Sequence, residues 1–217
     1  NIPLGYGLGS SGTVVAAVYR DFCEKNDKKN GEKSGKTETE DFAMLKNKLA
    51  QMECFFHGAS SGIDPLICYT KQALVIHADK TIEIAAAHTS LDGFWLIDTQ
   101  KPRKTEPLVA HFKQLCLDKD YLHELTNAYI PLNELCIAAY LKRNSDLLHQ
   151  SIFELSALQL VFFKNMIPDF LLTYWNEGLT SQKFCLKICG AGGGGFMLAF
   201  AKNKTDLPLF LQERVVH

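Results

Sequence analysis

No stretch of this chain carries an unbroken apolar run of membrane-spanning length, and its opening residues do not read as a secretory leader. Net charge is nearly absent. Lys and Arg total 23 against 24 Asp and Glu, leaving −1. Nucleic acids and anionic membrane surfaces select a basic excess, so neither is an expected partner. Paired cysteines are missing too. The seven thiols, Cys23, Cys54, Cys68, Cys116, Cys136, Cys185 and Cys189, are odd in number, scattered through apolar segments and never spaced as C-x-x-C. A disulfide framework and a zinc site are therefore both disfavoured, and reduced thiols in a cytoplasmic protein are the expectation. What remains is ordinary for a globular chain: 217 residues, 47% apolar and 22% charged, enough for one large or two modest domains with a real core.

Glycine is where the chain departs from the ordinary. Between Pro3 and Gly12 lie Gly5, Gly7, Gly9 and Gly12, with Leu8, Ser10 and Ser11 among them, and the segment runs into an apolar stretch of helical length from Thr13 to Phe22. Such a loop builds no core, and glycine is the costliest residue to order. A glycine loop that empties into a helix offers bare N–H groups and the positive end of the helix dipole, an arrangement suited to phosphate. Ser10 or Ser11 is the expected N-cap. The spacing matches neither the common P-loop nor the dinucleotide fingerprint, so this reads as a phosphate cradle of another kind. A binding loop so near the start has nothing before it to hang from, and the expectation is that the natural N-terminus is missing.

Residues Glu24 to Asp41 are almost wholly polar and read as a solvated, mobile loop. Helical periodicity returns with Phe42, Leu45, Leu49, Met52 and Phe56, with Glu53 beside that stripe. Gly58 is expected to stop this helix, and Gly62 to allow a tight path just before Asp64. Pro65 to Thr70 and Ala73 to His77 are expected as two strands joined at Lys71 and Gln72, followed by strands at Thr81–Ala87 and Gly93–Asp98. Asp64 would then be a carboxylate held at a glycine loop against a sheet, a fit place for a general base or a metal ligand. Arg103 and Lys104, in a loop around Pro102, are candidate anion contacts. Three helices follow at about 108–117, 120–143 and 145–166. The chain closes with a strand at Lys183–Cys189, the run Gly190, Ala191, Gly192, Gly193, Gly194 and Gly195, and a strand at Phe196–Ala201. Four consecutive glycines exceed what a hairpin needs and let another backbone or a ligand approach closely. We expect a second glycine-rich site there, facing the first.

Three separated segments agree on a resemblance. The Pro3 to Ser11 loop resembles the second motif of the GHMP small-molecule kinases, and Gly190 to Gly195 their third. Glu53 followed by His57, Gly58, Ser61, Gly62 and Asp64 is similar to the mevalonate kinase branch, including the eleven-residue step from acid to acid. The segment from Asp98 through Pro102 and Arg103 to Thr105 resembles that branch's second-domain motif. The resemblance spans nearly the whole chain. It implies an α+β fold of two domains: residues 1–90 as the rest of a ribosomal-protein-S5-like ATP-binding domain, and 91–217 as a ferredoxin-like domain.

It also implies roles. Gly5, Gly7, Leu8, Gly9, Ser10, Ser11 and Gly12 would wrap the phosphates of ATP. Ser11 (or Ser10) and Glu53 would hold Mg²⁺, and Asp64 would orient or deprotonate the acceptor hydroxyl. His57, Ser61, Thr105, Gly190, Ala191, Gly192 and Gly193 would line the acceptor site. Phosphoryl transfer asks mainly for positioning and charge stabilisation, which these groups can supply. The implied activity is ATP-dependent phosphorylation of a small alcohol, with mevalonate first. A sugar, a heptose or phosphomevalonate is an alternative acceptor, and a non-catalytic nucleotide-binding relative is a further alternative. A homodimer is compatible with the resemblance. Two departures stand out: Gly12 replaces the family's usual Ala, weakening the helix start slightly, and the first family motif with its lysine is absent.

Overall fold

The computed structural model describes residues 9–23, 38–58, 60–77, 79–85 and 93–216, the side chains of 38–41 and of His57 excepted. The chain divides into two compact units: the described residues up to Ala85 form one and those from Gly93 the other.

In the first unit, helix α1 spans Ser10–Val18 and runs on as a widened turn over Tyr19–Cys23. Helix α2 spans Glu38–His57, starting ahead of the expected Phe42, and α3 spans Ile63–Thr70. Strands β1 (Leu74–Ile76) and β2 (Ile82–Ile84) pair antiparallel, with Val75 opposite Glu83. The core is Val15, Tyr19, Leu49, Leu66 and Ile82. Val15 on α1 and Tyr19 at the start of the widened turn lie four residues apart, the spacing that gives a helix one apolar face. Much of the expected polar loop, residues 24–37, lies outside the described residues, as do Ala86 and Ala87 at the end of the third expected strand.

The segment Pro65–Thr70, expected as a strand, is helical. Its Ile, Tyr and Thr content favours a strand, but its opening does not. Gly62 adopts φ 73° as N-cap, Asp64 lies in the first turn, and Pro65 also falls there, where a missing N–H costs nothing. Burial of Pro65 and Leu66 completes the choice.

The second unit is built on an antiparallel sheet of β3 (Phe94–Asp98), β4 (Phe184–Ile188) and β5 (Phe196–Ala201), in the order β3-β5-β4. Phe94 pairs with Phe200, and Ile188 with Met197. The C-terminal segment closes the free edge of β3 through Val216 N–H to Leu96 O (2.8 Å) and Asp98 N–H to Arg214 O (2.8 Å).

Helices α4 (Thr105–Leu115), α5 (Lys119–Glu124), α6 (Ile130–Leu141) and α7 (Ser145–Phe162) follow β3. A widened turn, Leu125–Tyr129, joins α5 to α6. It falls just ahead of Pro131, whose ring would strike the carbonyl four residues back in a regular helix. Helix α8 (Asp169–Ser181) was not expected from the sequence, where Gly178 interrupts the helical signal. That glycine is required by packing: a methyl group there would meet Phe184 O at 2.6 Å. Helices α7 and α8 pack on β4. Fully buried Trp175 donates to Ser156 O (3.1 Å), and Ser156 donates to Leu186 O (2.7 Å). A short helix, α9 (Leu209–Gln212), ends the fold. Among the described residues, no helix is long and apolar enough to cross a membrane.

Burial raises the thiol of Cys185 to about 12, with the neighbouring Cys136 adding to the rise. At pH 8 it is therefore almost entirely protonated, and the thiolate is the nucleophile. Native protein treated with iodoacetamide at pH 8 should stay unlabelled at Cys185 until denaturant is added; labelling of the folded protein there, read by peptide mass, would contradict this environment.

Candidate active site

Gly9, not a serine, is the N-cap of α1, in the left-handed region at φ 63°. The cap expected at Ser10 or Ser11 falls on Gly9 instead: the left-handed turn at Gly9 puts both serines inside the first turn, and the Ser11 hydroxyl is engaged elsewhere. First-turn amides have no acceptor within their own helix and, with the dipole, favour an anion at this end. Thr13 closes the turn, its N–H reaching Gly9 O at 2.8 Å and its hydroxyl the same oxygen at 3.1 Å.

The Ser11 hydroxyl donates to Glu53 Oε1 at 2.7 Å. Glu53 is only 6% exposed. Its other oxygen, Oε2, takes the hydroxyl of Ser60, which in turn accepts Gly62 N–H at 2.9 Å. The sequence reading did not single out Ser60. The only signal was a second serine beside Ser61 in the turn between Gly58 and Gly62.

That turn brings the second carboxylate to α1. Gly58 ends α2 at φ 68°, its N–H on Cys54 O (2.8 Å), and Gly62 reverses the chain. A methyl group on Gly62 would sit 2.2 Å from Lys46 O, so the reversal is packed directly onto α2. Asp64 emerges in the first turn of α3 rather than against a sheet, and its side chain lies against Gly9: a methyl group there would stand 3.6 Å from Asp64 Oδ2. Gly12 proves to be more than a weak helix start. A methyl group on it would come within 2.8 Å of Pro65 N and 3.0 Å of Asp64 C, so α3 crosses α1 at that point.

Gly9, Ser11, Gly12, Glu53 and Asp64 are thus gathered at the start of α1, with Ser10 in the same turn. Exposed Ser61 accepts Ile63 N–H (3.3 Å) at the start of α3. Gly5, Gly7 and Leu8 lie outside the described residues, as does the side chain of His57. Ser11 and Glu53 present hard oxygen donors in contact with each other, a set that suits Mg²⁺. Among the described residues, no group of three or more His, Cys, Asp or Glu side chains forms a metal cluster.

In the second unit, Thr105, Gly190 and Ala191 line one cavity of about 410 Å³. Its walls are mostly apolar, with Leu108, Phe112, Phe163 and Met166 among them, and Gln159 and Lys187 supply polar groups. Buried Gln159 accepts Ile188 N–H (2.9 Å) and donates to Tyr129 Oη (2.9 Å), fixing the end of β4 where the glycines begin. Gly192 and Gly193 do not line this cavity. A methyl on Gly192 would meet Met166 O at 2.4 Å, one on Gly193 would meet Leu108 Cδ1 at 2.5 Å, and one on Gly194 would meet Lys101 O at 2.3 Å. The close approach that the glycines allow is largely made by the chain itself. Arg103 donates to Gly192 O (2.8 Å), and exposed Lys104 is the N-cap of α4.

No protein-family model matches the chain. Over 121 residues, 54% of its length, it is 31% identical to the mevalonate kinase of Bos taurus. The chain is similar to a mevalonate kinase. The matched stretch covers 30% of the bovine mevalonate kinase. Among solved structures, phosphomevalonate kinase of Streptococcus pneumoniae, in complex with phosphomevalonate and AMPPNP, has TM-score 0.60 at 17% identity, covering 93% of this chain and 63% of that one. The Lin0012 protein of Listeria innocua has TM-score 0.57 at 15% identity, covering 95% and 74%. At these identities the two structures establish a shared mixed helix-and-sheet fold. The resemblance to GHMP kinases, read first from short motifs, holds in sequence toward mevalonate kinase and in fold toward phosphomevalonate kinase.

Replacing Gly12 by Ala adds helix propensity worth roughly 1 kcal/mol, yet forces a methyl group into the α3 backbone. The expected net effect is a loss of about 1–3 kcal/mol, measured by urea unfolding. An unchanged or raised midpoint would contradict the close crossing of α1 and α3.

Proposed function

We propose that this chain is part of a GHMP-family kinase that transfers the γ-phosphoryl group of ATP to the hydroxyl of a small acid in isoprenoid-precursor metabolism, with mevalonate as the acceptor. One observation carries the reading: at the amide-bearing start of α1, the Ser11 hydroxyl meets Glu53 while Asp64 lies against Gly9. The similarity to bovine mevalonate kinase supports the acceptor, and the AMPPNP in the phosphomevalonate kinase neighbour supports ATP as donor. The two-domain description, ribosomal-protein-S5-like followed by ferredoxin-like, belongs to the same proposal, as does a cytoplasmic setting.

In this mechanism the first-turn amides of α1 bind phosphate oxygens, with the dipole adding a favourable field. Ser11 and Glu53 would hold Mg²⁺, which when bound offsets charge on the phosphates. Asp64 accepts a hydrogen bond from the acceptor hydroxyl and takes its proton as the oxygen attacks phosphorus. Thr105, Gly190 and Ala191 contribute to acceptor binding. Phosphomevalonate is the second acceptor to consider, because the neighbour of like fold was solved with it.

The test is coupled ADP release with Mg²⁺-ATP and either acceptor, beside Asp64→Asn. Mevalonate-dependent turnover should fall on the order of 10²- to 10⁴-fold in the variant, the range for loss of a general base. Turnover only with phosphomevalonate would move the assignment to that acceptor. No turnover with either, from folded protein that binds ATP, would overturn the kinase reading.

A further inference from the structure

We infer that Ser60 is a positioning residue for the cation-binding carboxylate, anchoring Glu53 from the side opposite Ser11; this rests on the kinase reading above. The two hydroxyls on Glu53 are not equivalent. Ser11 donates to Oε1 from the first turn of α1, and Ser60 donates to Oε2 from the turn that leads into α3. A hydroxyl carries one proton and two lone pairs. For Ser60, Gly62 N–H occupies a lone pair at 2.9 Å, which aims the proton at Glu53. Gly62 itself cannot shift, because its Cα is packed against Lys46 O and Ala50.

A hydroxyl that coordinates a cation must turn a lone pair toward it. Ser11 and Glu53 would hold the cation on the side where they already meet, at Oε1. The Ser60 bond lies on the other oxygen and can persist. Glu53 then keeps one fixed oxygen and offers the other, with no need to find a new rotamer. The same anchor ends at Gly62, two residues before Asp64, so the turn that steadies the cation ligand also sets the start of α3.

The test uses the full chain with Mn²⁺–AMPPNP as probe, its dissociation constant read from water-proton relaxation rather than turnover, with circular dichroism and thermal unfolding as fold controls. Partners of metal ligands typically contribute 10- to 100-fold in affinity. Ser60→Ala should weaken binding of the probe by at least about 10-fold within that range, and Ser60→Thr, which keeps a hydroxyl, should restore most of it. Glu53→Gln serves as reference. Parent-like binding by Ser60→Ala alongside a loss in Glu53→Gln would overturn the anchor while leaving the cation site standing. Equal losses in Ser60→Ala and Ser60→Thr would overturn it too, since the hydroxyl would not be what matters. Parent-like binding by both Ser60→Ala and Glu53→Gln would remove the cation role of Glu53, and the inference with it.

Discussion

The pairing of the buried Glu53 carboxylate with two hydroxyls is the constraint around which the first unit is arranged. A carboxylate taken out of water is costly unless donors replace the lost hydration. Here the donors come from 42 residues before it and seven after it. Satisfying one side chain therefore draws the start of α1, the C-terminal part of α2 and the turn into α3 to a single point. The crossing of α1 over α3 at Gly12 follows from the same convergence, and so does the position of Asp64 beside Gly9.

Much of this was legible because it was written in residue types with narrow conformational use. Gly58 and Gly62 marked a reversal, and both adopt positive φ. Glu53, eleven residues from Asp64 across that reversal, could be read as approaching the same place. What was illegible depended on partners distant in sequence. Ser60 looks like any turn serine until Glu53 is buried beside it. Gly12 looks like a poor helix residue until Pro65 is seen packed against its Cα. At Pro65–Thr70, expected as a strand, the Asp64–Pro65 start is a helix signal that prevails over the β-branched and aromatic residues that follow. Gly178 hid α8 for the same kind of reason: its lack of a side chain serves β4, not the helix.

The two kinds of likeness carry different information. Identity to a mevalonate kinase is confined to about half the chain, whereas likeness of fold to phosphomevalonate kinase extends over 93% of it. Backbone architecture survives sequence change that alters which small molecule is held. Around Thr105 and Ala191 the cavity walls are mostly apolar.

The glycine run between β4 and β5 has a consequence for motion. Gly193 N–H bonds Met166 O (2.5 Å), Gly195 N–H bonds Lys101 O (2.7 Å), and Gly195 O receives both the N–H and the hydroxyl of Thr99 (2.9 and 2.7 Å). A string of glycines is ordinarily slack. This one is riveted to two neighbouring segments, at residues 99–101 and at Met166, through its main chain, and the absent side chains are what let the rivets reach. Its contribution is stiffness: the turn between β4 and β5 is held as a fixed piece of backbone.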